Sequence, residues 1–138
     1  MRQINEIIIH CTATPAGKTV TVADITRWHK EKGWKTIGYH YVIYLDESIH
    51  EGRKVSQVGA HCEGHNATSI GIAYVGGLTA DGKHAADTRT PQQKSAMERL
   101  VRQLKATYGI ETIHGHNEYE NKSCPSFDVR KWRKEVGL

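Results

Sequence analysis

Apolar positions along the chain switch between a period of two and a period near 3.6, and the switches mark out the elements. Glu6–Ile9 is a short β-branched run ending in His10, which predicts a buried strand. Thr21-x-x-Asp24 has the form of a capping box. Val22, Ile25, Trp28 and His29 follow at helical spacing, and Gly33 stands where a helix C′ glycine belongs. Tyr39–Leu45, rich in aromatic and β-branched residues, predicts a central strand that turns at Asp46-Glu47-Ser48 into Ile49–Arg53. Ser69–Val75 sets Ile70, Ile72 and Tyr74 on one face. On the other face Gly71 and Ala73 are small enough for a helix to pack closely, and Gly76-Gly77 stops the run. Thr90-Pro91-Gln92-Gln93 supplies an N-cap, a first-turn proline and a capping-box Gln. Met97, Leu100, Val101, Leu104 and Tyr108 form one stripe behind it, and Gly109 closes the helix. Ile110–Ile113 predicts a short strand running into His114, and Asp128 caps a last helix carrying Trp132 and Val136. Strands interleaved with helices predict an α/β fold, a single central mixed β-sheet flanked by helices.

No repeat, low-complexity segment or linker interrupts this order, so residues 1–138 are expected to form one domain. A chain of this length can bury a core without disulfide staples. The net charge of +4 suits an anionic partner, and nucleic acid, acidic glycan and an anionic wall polymer satisfy it equally. No nucleic-acid motif accompanies the charge. The basic run Arg130, Lys131, Arg133, Lys134 reads as a solvated helix face. Neither an apolar leader of about 7–15 residues nor a stretch of about 18 that could span a bilayer is present, which predicts a protein held in the cytoplasm at synthesis, without a membrane segment. Three cysteines, an odd number, argue for free thiols or a metal ligand rather than a disulfide framework.

The candidate chemistry gathers where predicted strands end. His10 follows Ile7–Ile9, His116 lies just past Ile110–Ile113, and Cys124 comes eight residues later. Two histidines and one cysteine from separate segments form a three-ligand set, which leaves a fourth tetrahedral position open, as catalytic zinc sites do. Each residue taken alone is more often an ordinary buried or surface residue. There is no Cys-x-x-Cys pair and no His-Glu-x-x-His, which excludes the common zinc finger and the helical metalloprotease. Cys11 follows His10 on the strand and points to the opposite face, so it reads as a core thiol. His61 and Asn66 fall on a loop that would line a groove, where substrate contact and turn stabilisation are both open.

Several segments resemble the phage T7 lysozyme type of N-acetylmuramoyl-L-alanine amidase. They are Ile8-Ile9-His10-Cys11-Thr12-Ala13-Thr14, Arg27-Trp28-His29-Lys30-Glu31-x-Gly33-Trp34, Gly38-Tyr39-His40-Tyr41, Val58-Gly59-Ala60-His61, Ser69-Ile70-Gly71-Ile72, Val75-Gly76-Gly77 and His116-x7-Cys124-Pro125-Ser126-Phe127-Asp128. The motifs run in order from about residue 5 to 134, and animal peptidoglycan recognition proteins share the fold. The resemblance implies zinc (Zn2+) on His10, His116 and Cys124, with catalytic assistance from Tyr39 and Lys122. His114 would point the same way as His116, but the family's eight-residue spacing to the cysteine selects His116. The implied reaction is hydrolysis of the amide joining N-acetylmuramic acid to L-alanine, with bacterial peptidoglycan or muropeptides as partner and a monomer as the working form. The expected place of action is the cell wall, reached by release through a separate pore protein, and a cytoplasmic enzyme acting on recycled wall fragments fits the sequence too. A non-catalytic peptidoglycan-binding module on the same fold is the main alternative, and a cysteine hydrolase built on Cys124 is the second.

Overall fold

The computed structural model describes residues 1–138. Seven strands and three helices alternate: β1 (Glu6–Cys11), β2 (Thr14–Pro15), α1 (Val22–Glu31), β3 (Tyr41–Ile43), β4 (Ile49–Glu51), β5 (Ser69–Tyr74), β6 (Gly77–Leu78), α2 (Pro91–Tyr108), β7 (Thr112–Gly115) and α3 (Val129–Val136). Five strands form one sheet in the order β4-β3-β5-β1-β7, and β2 and β6 form a small second pair. β1 runs parallel to both β5 and β7, β3 runs parallel to β5, and β4 is antiparallel at the edge. The predicted α/β class with a mixed sheet is therefore the observed one.

β1 and β5 are buried along their whole length, as their apolar runs require of strands covered on both faces. Ile7, Ile9, Cys11, Ile70, Ile72 and Tyr74 face α2 and α3, meeting Met97, Leu100, Val101, Leu104 and Trp132 in the larger core. Both capping boxes form, at Thr21/Asp24 and at Thr90/Gln93, and Gly109 ends α2 in the left-handed region. A cap contributes about 1 kcal/mol and each buried core side chain about 1.5–3 kcal/mol. The caps therefore set where the helices begin, and the stripe sets how α2 sits. No helix is long and apolar enough to cross a membrane.

Three expectations need correction. The strand anticipated over Tyr39–Leu45 is regular only over Tyr41–Ile43, and β5 and β1 hold the centre of the sheet instead. At its start the Gly71 amide donates to the His40 side chain at Nδ1 (3.0 Å), so a ring nitrogen occupies a ladder position and the backbone leaves the strand. At its end Tyr44–Ser48 is already the turn, with Glu47 at φ 69°. The helix expected to lie close over Gly71 is not there. α1 covers that face farther along, where its Ile25 packs with Val42 and Val75 of the sheet side, whereas a Cβ on Gly71 would fall 2.6 Å from the His61 ring. The last strand lies two residues later than Ile110–Ile113, because the Ile110 amide still bonds back to Lys105 at the end of α2.

Candidate metal centre and cleft

The site sits beyond the C-terminal ends of adjacent parallel strands, the usual position for ligands in an open α/β sheet. β1 and β7 pair with Ile9 opposite Gly115, so the next residue of each, His10 and His116, are neighbours. His116 has by then entered a 3-10 turn spanning His116–Glu118. The loop carrying Cys124 is tied to the sheet by the Tyr74 hydroxyl donating to Pro125 O (2.7 Å) and by Ser126 Oγ donating to Gly77 O (3.0 Å). The Cys124–Pro125 peptide is cis. The three groups the sequence pointed to therefore meet. His10 Nδ1 and His116 Nδ1 are 3.1 Å apart, Cys124 Sγ is 3.9 Å from His10 Nδ1, and all three ligand atoms lie within 4.8 Å of one another.

Hydrogen bonds fix the protons in this cluster. Ser69 Oγ donates to His65 O at 2.7 Å, so it accepts from His61 Nε2 at 3.1 Å. A neutral His61 then has a bare Nδ1, which accepts from His10 Nε2 at 2.8 Å. On the other side Glu120 Oε2 accepts from His116 Nε2 at 2.7 Å. Both rings thus carry their proton on Nε2. Burial, then the His61 and His116 rings, hold His10 neutral, and burial outweighs Glu120 in lowering His116. Two bare Nδ1 lone pairs consequently face each other at hydrogen-bond distance with no proton between them. The neighbouring Cys11 and burial both oppose ionisation of Cys124, whose sulfur accepts the Cys11 amide at 3.2 Å. A divalent cation held there by His10, His116 and Cys124 would resolve both conflicts, because it would take the lone pairs and favour the thiolate. Two imidazoles and a thiolate are a donor set for a borderline-soft metal such as zinc.

The cluster opens onto a cavity of about 340 Å³ lined by Trp34, Ala60, His61, Cys62, Glu63, Asn66, His116, Glu120 and Lys122. A second hollow of about 570 Å³ continues from it, sharing Trp34 and Ala60 and running to Lys35, Arg53 and Val58. Tyr39 lies two residues before β3, its ring centroid 5.2 Å from that of His10. Burial pushes its phenol well above the ordinary range, so it remains an O–H donor at neutral pH. Lys122 reaches the cavity rim, with Nζ 3.2 Å from Glu120 Oε2. Asn66 Oδ1 accepts the amides of His61 (3.0 Å) and Cys62 (2.9 Å), shaping the turn that holds His61. His114, expected to point with His116, instead bonds Glu6 through Nδ1 at 2.6 Å, because the chain leaves the strand between the two histidines. Cys11 is buried in the larger core, as expected. Glu120, Ser69 and His65 had not been singled out. Only His116-x-x-x-Glu120, one helical turn apart, offered a signal.

An α/β fold that brings two strand-end histidines and a loop cysteine together beside a groove is a scaffold with a candidate metal centre. The chain belongs to the N-acetylmuramoyl-L-alanine amidase family, which it matches over residues 1–127. It is 40% identical over 126 residues to the endolysin of Escherichia phage T7, covering 91% of this chain and 83% of that protein. Among solved structures it is similar to the N-acetylmuramoyl-L-alanine amidase LysC from Clostridium intestinale, with a TM-score of 0.85 at 30% identity over 99% of this chain and 87% of that one. Drosophila PGRP-LB aligns with a TM-score of 0.76 at 26% identity, covering 91% and 76% of the two chains.

Proposed function

We propose that this chain hydrolyses the amide between N-acetylmuramic acid and L-alanine in peptidoglycan, using zinc held by His10, His116 and Cys124. The observation that carries the reading is the proton arrangement, in which two bare ring nitrogens converge with a thiol sulfur beside an open cleft. Zinc in that position supplies Lewis acidity and lowers the pKa of a coordinated water.

The chain's own groups account for the rest. Water adds its oxygen to the lactyl carbonyl carbon, the carbon–nitrogen bond breaks, and the amine of L-alanine leaves with a proton. Tyr39 donates its O–H toward the oxygen on which negative charge develops, and the Lys122 ammonium stabilises that charge from the cavity rim. His61 and Glu120 keep the two ligand rings turned toward the metal position. His61 and Asn66 also wall the cavity, so the turn they build shapes the substrate face. The working form is a monomer. The cell wall is the place of action, a reading favoured by likeness to proteins named endolysin, and a separate pore protein provides the route there.

Cys124→Ser tests the reading, since a hydroxyl is close in size to the thiol but a far weaker zinc ligand at neutral pH. Zinc content and release of stem peptide from purified muropeptides should both fall to background, while the far-UV circular dichroism is unchanged. Wild-type protein that pellets with peptidoglycan yet releases no peptide with zinc supplied would make the chain a binding module.

A further inference from the structure

We propose that Glu120 is a positioning residue serving both halves of the site, His116 and Lys122. The inference rests on the amidase reading above. One carboxylate oxygen, Glu120 Oε2, accepts from His116 Nε2 at 2.7 Å and from Lys122 Nζ at 3.2 Å. Both partners are site groups. Glu118, two residues earlier, is spent on the fold, capping the Gly115 amide and pairing with Arg130 at 2.9 Å. Glu120 has no such structural duty.

The chemistry of each bond differs. A carboxylate is an acceptor only, so its bond to Nε2 commits His116 to the tautomer with a bare Nδ1 facing His10, and its charge makes the ring a better donor. Lys122 has a long flexible side chain that is 59% exposed and would otherwise sample many rotamers in solvent. The pair with Glu120 holds its ammonium beside His116 at the cavity mouth. An exposed ion pair of this kind contributes little to stability, so its value lies in where it leaves the charge. Glu120 thus sets zinc affinity through one bond and turnover through the other.

The experiment measures zinc affinity by chelator competition, and kcat at saturating zinc, for the holoenzyme carrying E120A, E120Q, K122A or E120A/K122A. In E120A zinc should bind about 10–100-fold more weakly, the range for loss of a carboxylate behind a ligating histidine, with still one zinc per chain at saturation. E120Q should recover part of the loss, because its amide oxygen still accepts from Nε2 without the charge. E120A should lower kcat in the wild-type background and leave it unchanged in the K122A background, while weakening zinc in both. Zinc affinity of E120A within twofold of wild type overturns the proposal. So does a stoichiometry below one at saturating metal, which makes Glu120 a ligand. An equal kcat loss in both backgrounds overturns the Lys122 half. Wild-type protein that binds no zinc or releases no peptide defeats the amidase reading itself, a result obtained before any variant is made.

Discussion

His116 leaves the end of β7 for the 3-10 turn, while two residues earlier His114 stays on the strand and bonds Glu6 at 2.6 Å. The two should therefore separate cleanly in mutation. His116→Ala should abolish zinc binding and turnover, and His114→Ala should keep about one zinc per chain by metal analysis. Loss of metal in His114→Ala alone would move the ligand assignment by two residues. In the proposed reaction Tyr39 and Lys122 would act on the substrate and not on the metal. Tyr39→Phe and Lys122→Ala should each retain zinc and lose about 10²–10³-fold in kcat, the scale of removing one donor to a developing oxyanion. An unchanged rate on muropeptides would return either residue to a packing or solvated role.

At the scale of elements, two histidines outside the metal cluster bind the α1 side of the molecule together. His29 Nδ1 accepts the Gly38 amide at 2.9 Å, and His40 Nδ1 accepts the Gly71 amide at 3.0 Å while its Nε2 faces Gln57 O. Each must be neutral to accept, and burial, the largest cause for both, lowers each to a pKa of about 4. The unfolded chain, with histidine near 6.5, takes up protons that the folded chain refuses between pH 6.5 and 4. Their contribution is thus fully present above pH 6.5 and is lost as pH falls toward 4, at up to about 1.4 kcal/mol per pH unit for each group. Urea unfolding of metal-free protein at pH 7, 6 and 5 should show this slope. His40→Asn, whose amide oxygen can still accept from Gly71, should be less stable at pH 7 but flatter with pH. An identical slope in wild type and variant would remove His40 from the account.

For the whole molecule, a metal held by the proposed ligands would tie β1 to the segment carrying His116 and Cys124, more than a hundred residues away in sequence. A ligand that binds only the folded state adds about 2.7 kcal/mol at a hundredfold excess over Kd. For a chain of this size that is on the order of 10 °C in melting temperature. Calorimetry with zinc and with chelator should show the difference in wild type and its absence in His10→Ala. A melting temperature indifferent to zinc would count against a site that joins these segments.

Period and caps in the sequence already determined the helices, the buried strands and the α/β class, because each is a matter of which face a residue occupies. α2 is the clearest case, since Thr90, Pro91, Gln93 and Gly109 mark both ends locally and the stripe between them faces the core. His10, His116 and Cys124 were also legible, through strand-end position and through resemblance. Tertiary structure alone decided the partners. Nothing near Gly71 says that the His61 ring lies over it, nor does anything near Ser69 say that it ends a hydrogen-bond chain running through His61 to His10. Glu120 and Lys122 are neighbours in sequence, yet their relation to the site depends on His116 being brought beside His10 by the pairing of β1 with β7. Periodicity records the side a residue faces. Proton positions and metal geometry depend on which distant residue faces it, and only the register of the folded sheet supplies that.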